Sequence, residues 1–215
     1  MRSFAETFRI ANNALATLRT APGRALSLSR PLTILGGVML VTFGATLVGI
    51  LTDPRIITGV PGWIKPAKFA ISVSVYCFTF AWLLGFGENR PRLMRLMANV
   101  TVISFSVEMI AIITQAARGT TSHFNNTTPF NSIVWMAMGS FIILVWAMNL
   151  LLAIVLIRQR MTDRAFGVSL RLGVLICWVG MAVAFLMVWP TPEQSAAIAN
   201  HGPRILGAHS VGVAD

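Results

Sequence analysis

The sequence predicts an all-α, polytopic membrane helix bundle of about five transmembrane helices, preceded by an N-terminal amphipathic helix. Three observations carry the prediction. Of 215 residues, 55% are hydrophobic and only 11% are charged, whereas a globular chain carries roughly 25% charge. The mean hydropathy is +0.73. The few charges gather between uncharged stretches as long as a bilayer is thick. This balance excludes a disordered polymer and a soluble enzyme with a conventional core. Cys77 and Cys177 both fall inside apolar runs, which excludes a disulfide-stapled secreted domain and makes them small core hydrophobes.

The first 30 residues form a basic segment. Ser3 and Glu6 stand at capping-box spacing, the serine accepting from the Glu6 amide while Glu6 reaches back. Phe4, Phe8, Ala11, Leu15 and Leu18 then repeat on one helical face, with Arg9, Asn12, Asn13 and Arg19 elsewhere around the turn. Such a helix suits the inner leaflet surface, against anionic lipid. A mitochondrial targeting peptide has the same Arg-rich, acid-poor composition. Against that alternative, the stretch from Pro22 to Pro31 leads into the first span without an evident processing site.

Residues 31–190 hold the bundle. Crossing about 30 Å of hydrocarbon takes about 20 mainly apolar residues, and five stretches between charges qualify: 32–51, 69–87, 96–117, 132–157 and 172–189. The fourth is long enough to require tilt or an interfacial first turn, and Arg171 stands where it would snorkel at the start of the fifth. Residues 191–215 are an outward-facing tail. Thr191, Pro192 and Glu193 signal a short helix to Asn200, and the apolar run from Ile205 to Val213 is too short to cross. Methionines and small residues throughout the spans permit close helix packing and a homo-oligomer without specifying one.

Orientation follows from the basic residues, which cytoplasmic loops retain. With the N-terminus inside, 12 Lys and Arg fall on the inner side and 5 on the outer. The expected topology is a bacterial plasma membrane protein with a cytoplasmic N-terminus and an extracytoplasmic C-terminus. Trp63, Trp135 and Trp189 then lie near outer span ends, where aromatic belts sit. The net charge of +10 would suit nucleic acid in another composition. Here the basic residues separate apolar spans, so the expected partner is the lipid bilayer and not nucleic acid.

Glu108 is the strongest functional signal. It lies nine residues from the end of its span, about 14 Å at 1.5 Å per residue, and an acid at that depth costs about 2.5–3.5 kcal/mol to insert. It must face protein or water. Thr101, Ser104, Glu108 and Gln115 form one polar stripe, which reads as a proton, cation or ligand site. The same stripe also reads as interhelical hydrogen bonding with no ligand. Lys65 and Lys68, the only lysines, stand three apart near the start of the second span, although Pro66 limits how early that helix begins. They suit an anionic headgroup, a carboxylate ligand, the Glu108 carboxylate, or plain interfacial snorkelling. Gln115, Arg118 and Asn125 bound a donor-rich outward loop expected to be ordered, a candidate lid. Acceptor sequons for N-glycosylation overlap at Asn125 and Asn126.

The three histidines, His123, His201 and His209, all fall on the outer side, where together they suit a metal ion such as zinc or copper. Their spacing matches no compact ligand motif, and none lies inside a span where a haem iron is commonly held. Surface or loop histidines account for them better than a metal site does, and the sequence implies no other cofactor.

The motifs Trp63-Ile64-Lys65-Pro66-Ala67-Lys68-Phe69, Glu108-Met109-Ile110, Gln115-Ala116-Ala117-Arg118-Gly119, Ser122-His123-Phe124-Asn125 and Gly207-Ala208-His209-Ser210-Val211-Gly212 resemble those of a bacterial multi-pass integral membrane family. The resemblance covers roughly residues 31–215. It brings no established activity, so it implies no catalytic role. Members of that family continue into a glycine-rich loop and further spans, so the resemblance implies that this chain is a short or truncated form. Three functions remain open: binding or transport of a small molecule, ion or proton around Glu108, open to the outer face; a metal- or haem-binding redox protein or enzyme built on the histidines; and a structural or assembly subunit. No phosphate-binding glycine loop, nucleophile elbow or HExxH occurs, so no residue dictates a reaction class.

Overall fold

The computed structural model describes residues 29–57, 59–87, 90–159, 161 and 163–185. All but the last two residues of the amphipathic segment expected at 1–30, Trp189 at the end of the fifth span, and the tail at 191–215 with His201 and His209 lie outside the described residues. The rest is helical: α1 (Arg30–Thr52), α2 (Ile64–Leu84, extended by a 3-10 turn at Gly85–Gly87), α3 (Pro91–Ala117), α4 (Pro129–Arg158) and α5 (Arg164–Val183). A two-residue hairpin joins α1 to α2, with β1 (Ile56–Ile57) antiparallel to β2 (Val60–Pro61).

Helix starts follow from backbone chemistry. Pro31, Pro91 and Pro129 open α1, α3 and α4, where a missing N–H costs nothing and the fixed φ is already helical. Thr128 Oγ1 accepts from the Asn131 amide at 3.2 Å, and Asp163 Oδ1 accepts from the Ala165 and Phe166 amides at 2.8 and 3.1 Å. Pro66 does not delay α2, which begins two residues before it. A proline in the first turn removes a donor that has no partner there anyway. α2, α3 and α5 also begin five, five and eight residues earlier than the apolar runs at 69, 96 and 172. Arg92, Arg95, Arg164 and Arg171 lie inside helices, so a charge ends an apolar run without ending the helix.

α1 lies along α2, both touch α3, α4 packs on α3, and α5 packs on α4. The α1–α2 contact is close because Gly36 faces the Phe78 ring, where an added Cβ would come within 3.0 Å. Beside it, Ser74 Oγ donates to the Gly36 carbonyl at 2.9 Å. Leu32, Phe80, Met97, Phe105, Val145 and Leu152 are among the side chains that fill the common core. α2 and α3 are the most enclosed helices and α5 the least.

The outward faces are apolar. Val41, Leu51, Ile110, Met136 and Ile176 are 65–86% exposed, an arrangement that costs about 25 cal/mol per Å² in water and nothing in hydrocarbon. All five helices are long and apolar enough to cross a membrane. The chain is an all-α, multi-pass membrane protein.

Candidate functional site

Two polar regions lie on α3, one at its C-terminal end and one in its middle. The end is built by Gly119, whose φ of +72° closes a Schellman motif. The Gly119 amide donates to the Ala116 carbonyl and the Thr120 amide to the Gln115 carbonyl, each at 3.0 Å. An L-residue in that conformation costs about 1–2 kcal/mol, which glycine avoids. Arg55 Nη1 donates to the Ala117 carbonyl at 2.7 Å. Arg55 is itself paired with Asp53 at 2.5 Å, and Asp53 accepts from Trp63 Nε1 at 2.8 Å. Hydrogen bonds from Arg55 and then Trp63 hold the Asp53 carboxyl well below the usual carboxylate range. The ends of α1 and α3 and the start of α2 are thereby tied together.

The loop beyond Gly119 folds back over this end and centres on Asn131, in the first turn of α4. Asn131 Oδ1 accepts from Gln115 Nε2 and from Arg118 Nη1, both at 3.0 Å. Its Nδ2 donates to Thr127 Oγ1 at 2.9 Å and to Asn125 Oδ1 at 3.3 Å. Arg118 also donates to Gln115 Oε1 at 2.8 Å and stacks 4.3 Å from the Phe130 ring centroid. Asn125 Nδ2 reaches Thr120 Oγ1 and the Thr121 carbonyl at 2.8 and 3.0 Å. Three residues singled out in the sequence, Gln115, Arg118 and Asn125, thus meet in one network that ties the loop to α3 and α4. Asn125 is buried with its amide engaged, so it does not present a glycan acceptor; Asn126 is half-buried.

Next to the network, Phe124 adopts φ +55°, a left-handed conformation that is strained for an aromatic residue. Its buried ring lies 4.5 Å from that of Trp135, and the His123 ring lies 5.5 Å from Trp135. His123 Nδ1 and Ser122 Oγ share a hydrogen bond at 3.0 Å. Burial, and secondly the Lys65 charge, push the His123 pKa down to about 3, so the ring is neutral at physiological pH. Lys65 lines a small cavity of about 30 Å³ with Ile57, Pro66, Ile112, Thr120 and Thr121, space for one or two waters. Lys68 is exposed and away from that cavity.

The middle of α3 is different. Thr101, Ser104 and Glu108, at i, i+3 and i+7, share one buried face. Thr101 Oγ1, Ser104 Oγ and Glu108 Oε1 are enclosed and have no hydrogen-bond partner among the described residues. Neither lysine pairs with Glu108. The cavity reaches Ile112, one turn short of Glu108, so in this conformation Glu108 is closed off from that end of the bundle.

Among the described residues no three His, Cys, Asp or Glu side chains converge as metal ligands, and His201 and His209 lie outside that set. Arg171, expected to snorkel, donates instead to the Leu156 and Gln159 carbonyls at 3.0 and 2.5 Å, capping the end of α4. Sequence reasoning passed over Asn131 and Asn149, each an amide within or beside a long apolar run. The rule that drew attention to Glu108, that polar groups in hydrocarbon need a reason, applies to both.

Trp63 and Trp135 lie at the end of the bundle where α1 and α3 finish, as an aromatic belt requires. Comparison with known protein families, with characterised proteins and with solved structures finds no match to this chain, so the resemblance to a bacterial membrane family rests on its motifs alone.

Proposed function

We propose that this membrane protein binds a proton, a cation or a small polar ligand at Glu108 and exchanges it with the outer face. One observation carries the reading: three oxygens, Glu108 Oε1, Thr101 Oγ1 and Ser104 Oγ, are buried on one face of α3 without partners. Each such group costs about 1–3 kcal/mol when left unpaired. An all-oxygen set suits a hard cation, a proton with water, or a hydroxylic ligand. A purely structural stripe would bond across to a neighbouring helix, as Asn131 does at the outer end.

The cavity beside Lys65 lies over the same face of α3, with Ile112 between it and Glu108. Exchange therefore requires the Ile112 side chain to move. In the proposed orientation the N-terminus is cytoplasmic and this cavity faces outward, in the plasma membrane of a bacterium. The excess of 12 inner over 5 outer basic residues and the placement of Trp63 and Trp135 support that assignment.

The test uses the full chain in liposomes, with proton, Na⁺ and K⁺ gradients imposed in turn and internal pH or cation followed by a dye. Glu108→Gln should abolish the flux that the native chain supports while leaving thermal stability in detergent unchanged, and Ile112→Ala should accelerate it. Native mass spectrometry of the same material, with and without Glu108, checks for a bound ligand. Identical fluxes and ligand occupancy in native and Glu108→Gln protein, with normal stability, would overturn the proposal.

A further inference from the structure

A second site lies at the other end of the bundle, between α2 and α5 with Asn149 of α4 at its base. It is a crevice of about 400 Å³, within the range of small-molecule pockets, and α3 contributes nothing to its lining. Its walls are apolar and aromatic, with Phe80, Trp82, Phe166 and Val174 prominent, and its inner polar groups are the half-buried Tyr76 and the buried Asn149. The Trp82, Phe86 and Phe166 rings form a cluster with centroids 5.1–6.4 Å apart.

The polar base has a defined hydrogen-bond sense. Asn149 Nδ2 lies 3.0 Å from the Val145 carbonyl and 2.6 Å from the Tyr76 hydroxyl. A carbonyl only accepts, so the amide atom facing it must be the nitrogen, and the Tyr76 oxygen must accept from that same nitrogen. The Tyr76 hydroxyl proton is then committed to no acceptor among the described residues, and it borders the crevice. Depth narrows the ligand. Tyr76 stands 11 residues before Gly87, the end of its span, about 16 Å at 1.5 Å per residue. That is near the midplane, too deep for the ester carbonyl of a phospholipid anchored at the interface.

We infer that the crevice binds a membrane-soluble planar carbonyl compound of the quinone or aryl ketone class, its oxygen accepting from the Tyr76 hydroxyl at the edge of that ring and its own ring lying among Phe80, Leu170 and Val174. The Tyr76 and Phe80 rings are stacked on each other, with centroids 5.3 Å apart, which holds the Tyr76 ring in place. The alkyl tail extends toward Trp82 and Phe166. The inference does not depend on Glu108.

Cys177 provides a reporter, because it is exposed and lines the crevice while Cys77 is buried. The full chain in detergent is titrated with a decyl-substituted benzoquinone. Adducts are counted by native mass spectrometry, and Cys177 alkylation is timed with N-ethylmaleimide. The expected result is one saturable quinone per chain, slowed Cys177 alkylation, and about 10-fold weaker binding in Tyr76→Phe, the effect of one hydrogen bond. Gly173→Leu, at a lining position with open space beyond its Cα, should abolish binding with the Tyr76–Asn149 bond intact. No saturable adduct, equal protection by decane, or binding untouched by both substitutions overturns the inference.

Discussion

The two polar regions of α3 are built from similar residues and solved in opposite ways. At the C-terminal end, Gln115, Arg118, Asn125 and Asn131 bond to one another and to the loop. In the middle, Thr101, Ser104 and Glu108 leave three buried oxygens unpaired. The C-terminal end has a loop to draw on, because the Gly119 turn sends the chain back over α3 and supplies Asn125, Thr127 and then Asn131. Mid-membrane, each neighbour is another apolar helix, and none places a donor opposite the stripe. A polar residue inside a membrane bundle is therefore not informative by itself. Its degree of hydrogen-bond satisfaction separates a group that closes the structure from one held ready for something else.

The strongest way to test that contrast is Asn131→Leu. The substitution keeps similar volume and removes four side-chain hydrogen bonds, leaving the buried Gln115 Nε2 without its acceptor. A loss of about 2–3 kcal/mol is expected, allowing for the weaker bonds typical of membrane interiors, read as a lowered midpoint in SDS or thermal unfolding. A change below about 0.5 kcal/mol would mean that the network is not what closes this end.

How far the sequence discloses these regions depends on the kind of signal each emits. The five spans are legible because lipid imposes one length and one composition. Glu108 is legible because an acid in hydrocarbon is costly enough to need a partner, a proton or a ligand. Helix starts are less so: the arginines of α3 and α5 end the apolar runs while the backbone stays helical. Asn131 and Asn149 are hidden because an uncharged amide barely alters hydropathy. Their importance arises from partners 16 and 73 residues away, Gln115 and Tyr76. The separation of Lys65 from Glu108 is likewise a matter of three-dimensional placement: Lys65 lines the cavity at the C-terminal end of α3, which reaches Ile112 but not Glu108.

Acid should loosen the C-terminal end of α3 before it touches the middle. The His123 pKa falls from 6.5 to about 3 on folding, so the fold favours neutral imidazole. Its contribution is complete above pH 6.5 and is lost as the pH falls from 6.5 toward 3. At pH 5 the loss is about 2 kcal/mol. Asp53, also depressed, loses its contribution only below the ordinary carboxylate range near pH 4, so the two are separable. Unfolding midpoints between pH 7 and 5 should slope downward in the native chain, and His123→Gln should remove most of that slope. An equal slope in the variant would place the acid sensitivity elsewhere.

A smaller effect is expected at the turn itself. Gly119→Ala forces a Cβ into φ +72° and should cost about 1 kcal/mol, with Arg118 and Asn131 still able to bond. Limited proteolysis across residues 119–127 should quicken roughly in proportion, about fivefold for 1 kcal/mol. Unchanged cleavage would show that the loop is held by its side-chain network and not by the Schellman turn.

The smallest expected change in stability is the sharpest discriminator. Glu108→Leu removes the acid, substitutes a side chain of similar size, and breaks no hydrogen bond at Oε1, which has no partner among the described residues. Replacing an unpaired buried polar group with an apolar one is neutral or stabilising, so the unfolding midpoint should stay level or rise by up to about 1 kcal/mol. Asn131→Leu, the same kind of replacement 23 residues along the chain, should do the reverse. If Glu108→Leu instead destabilises by as much as Asn131→Leu, the carboxyl is a structural group like the amide, and the contrast between the two ends of α3 disappears. If stability holds while ligand occupancy or flux is lost, the polarity at Glu108 is retained for what it binds, since the fold stands without it.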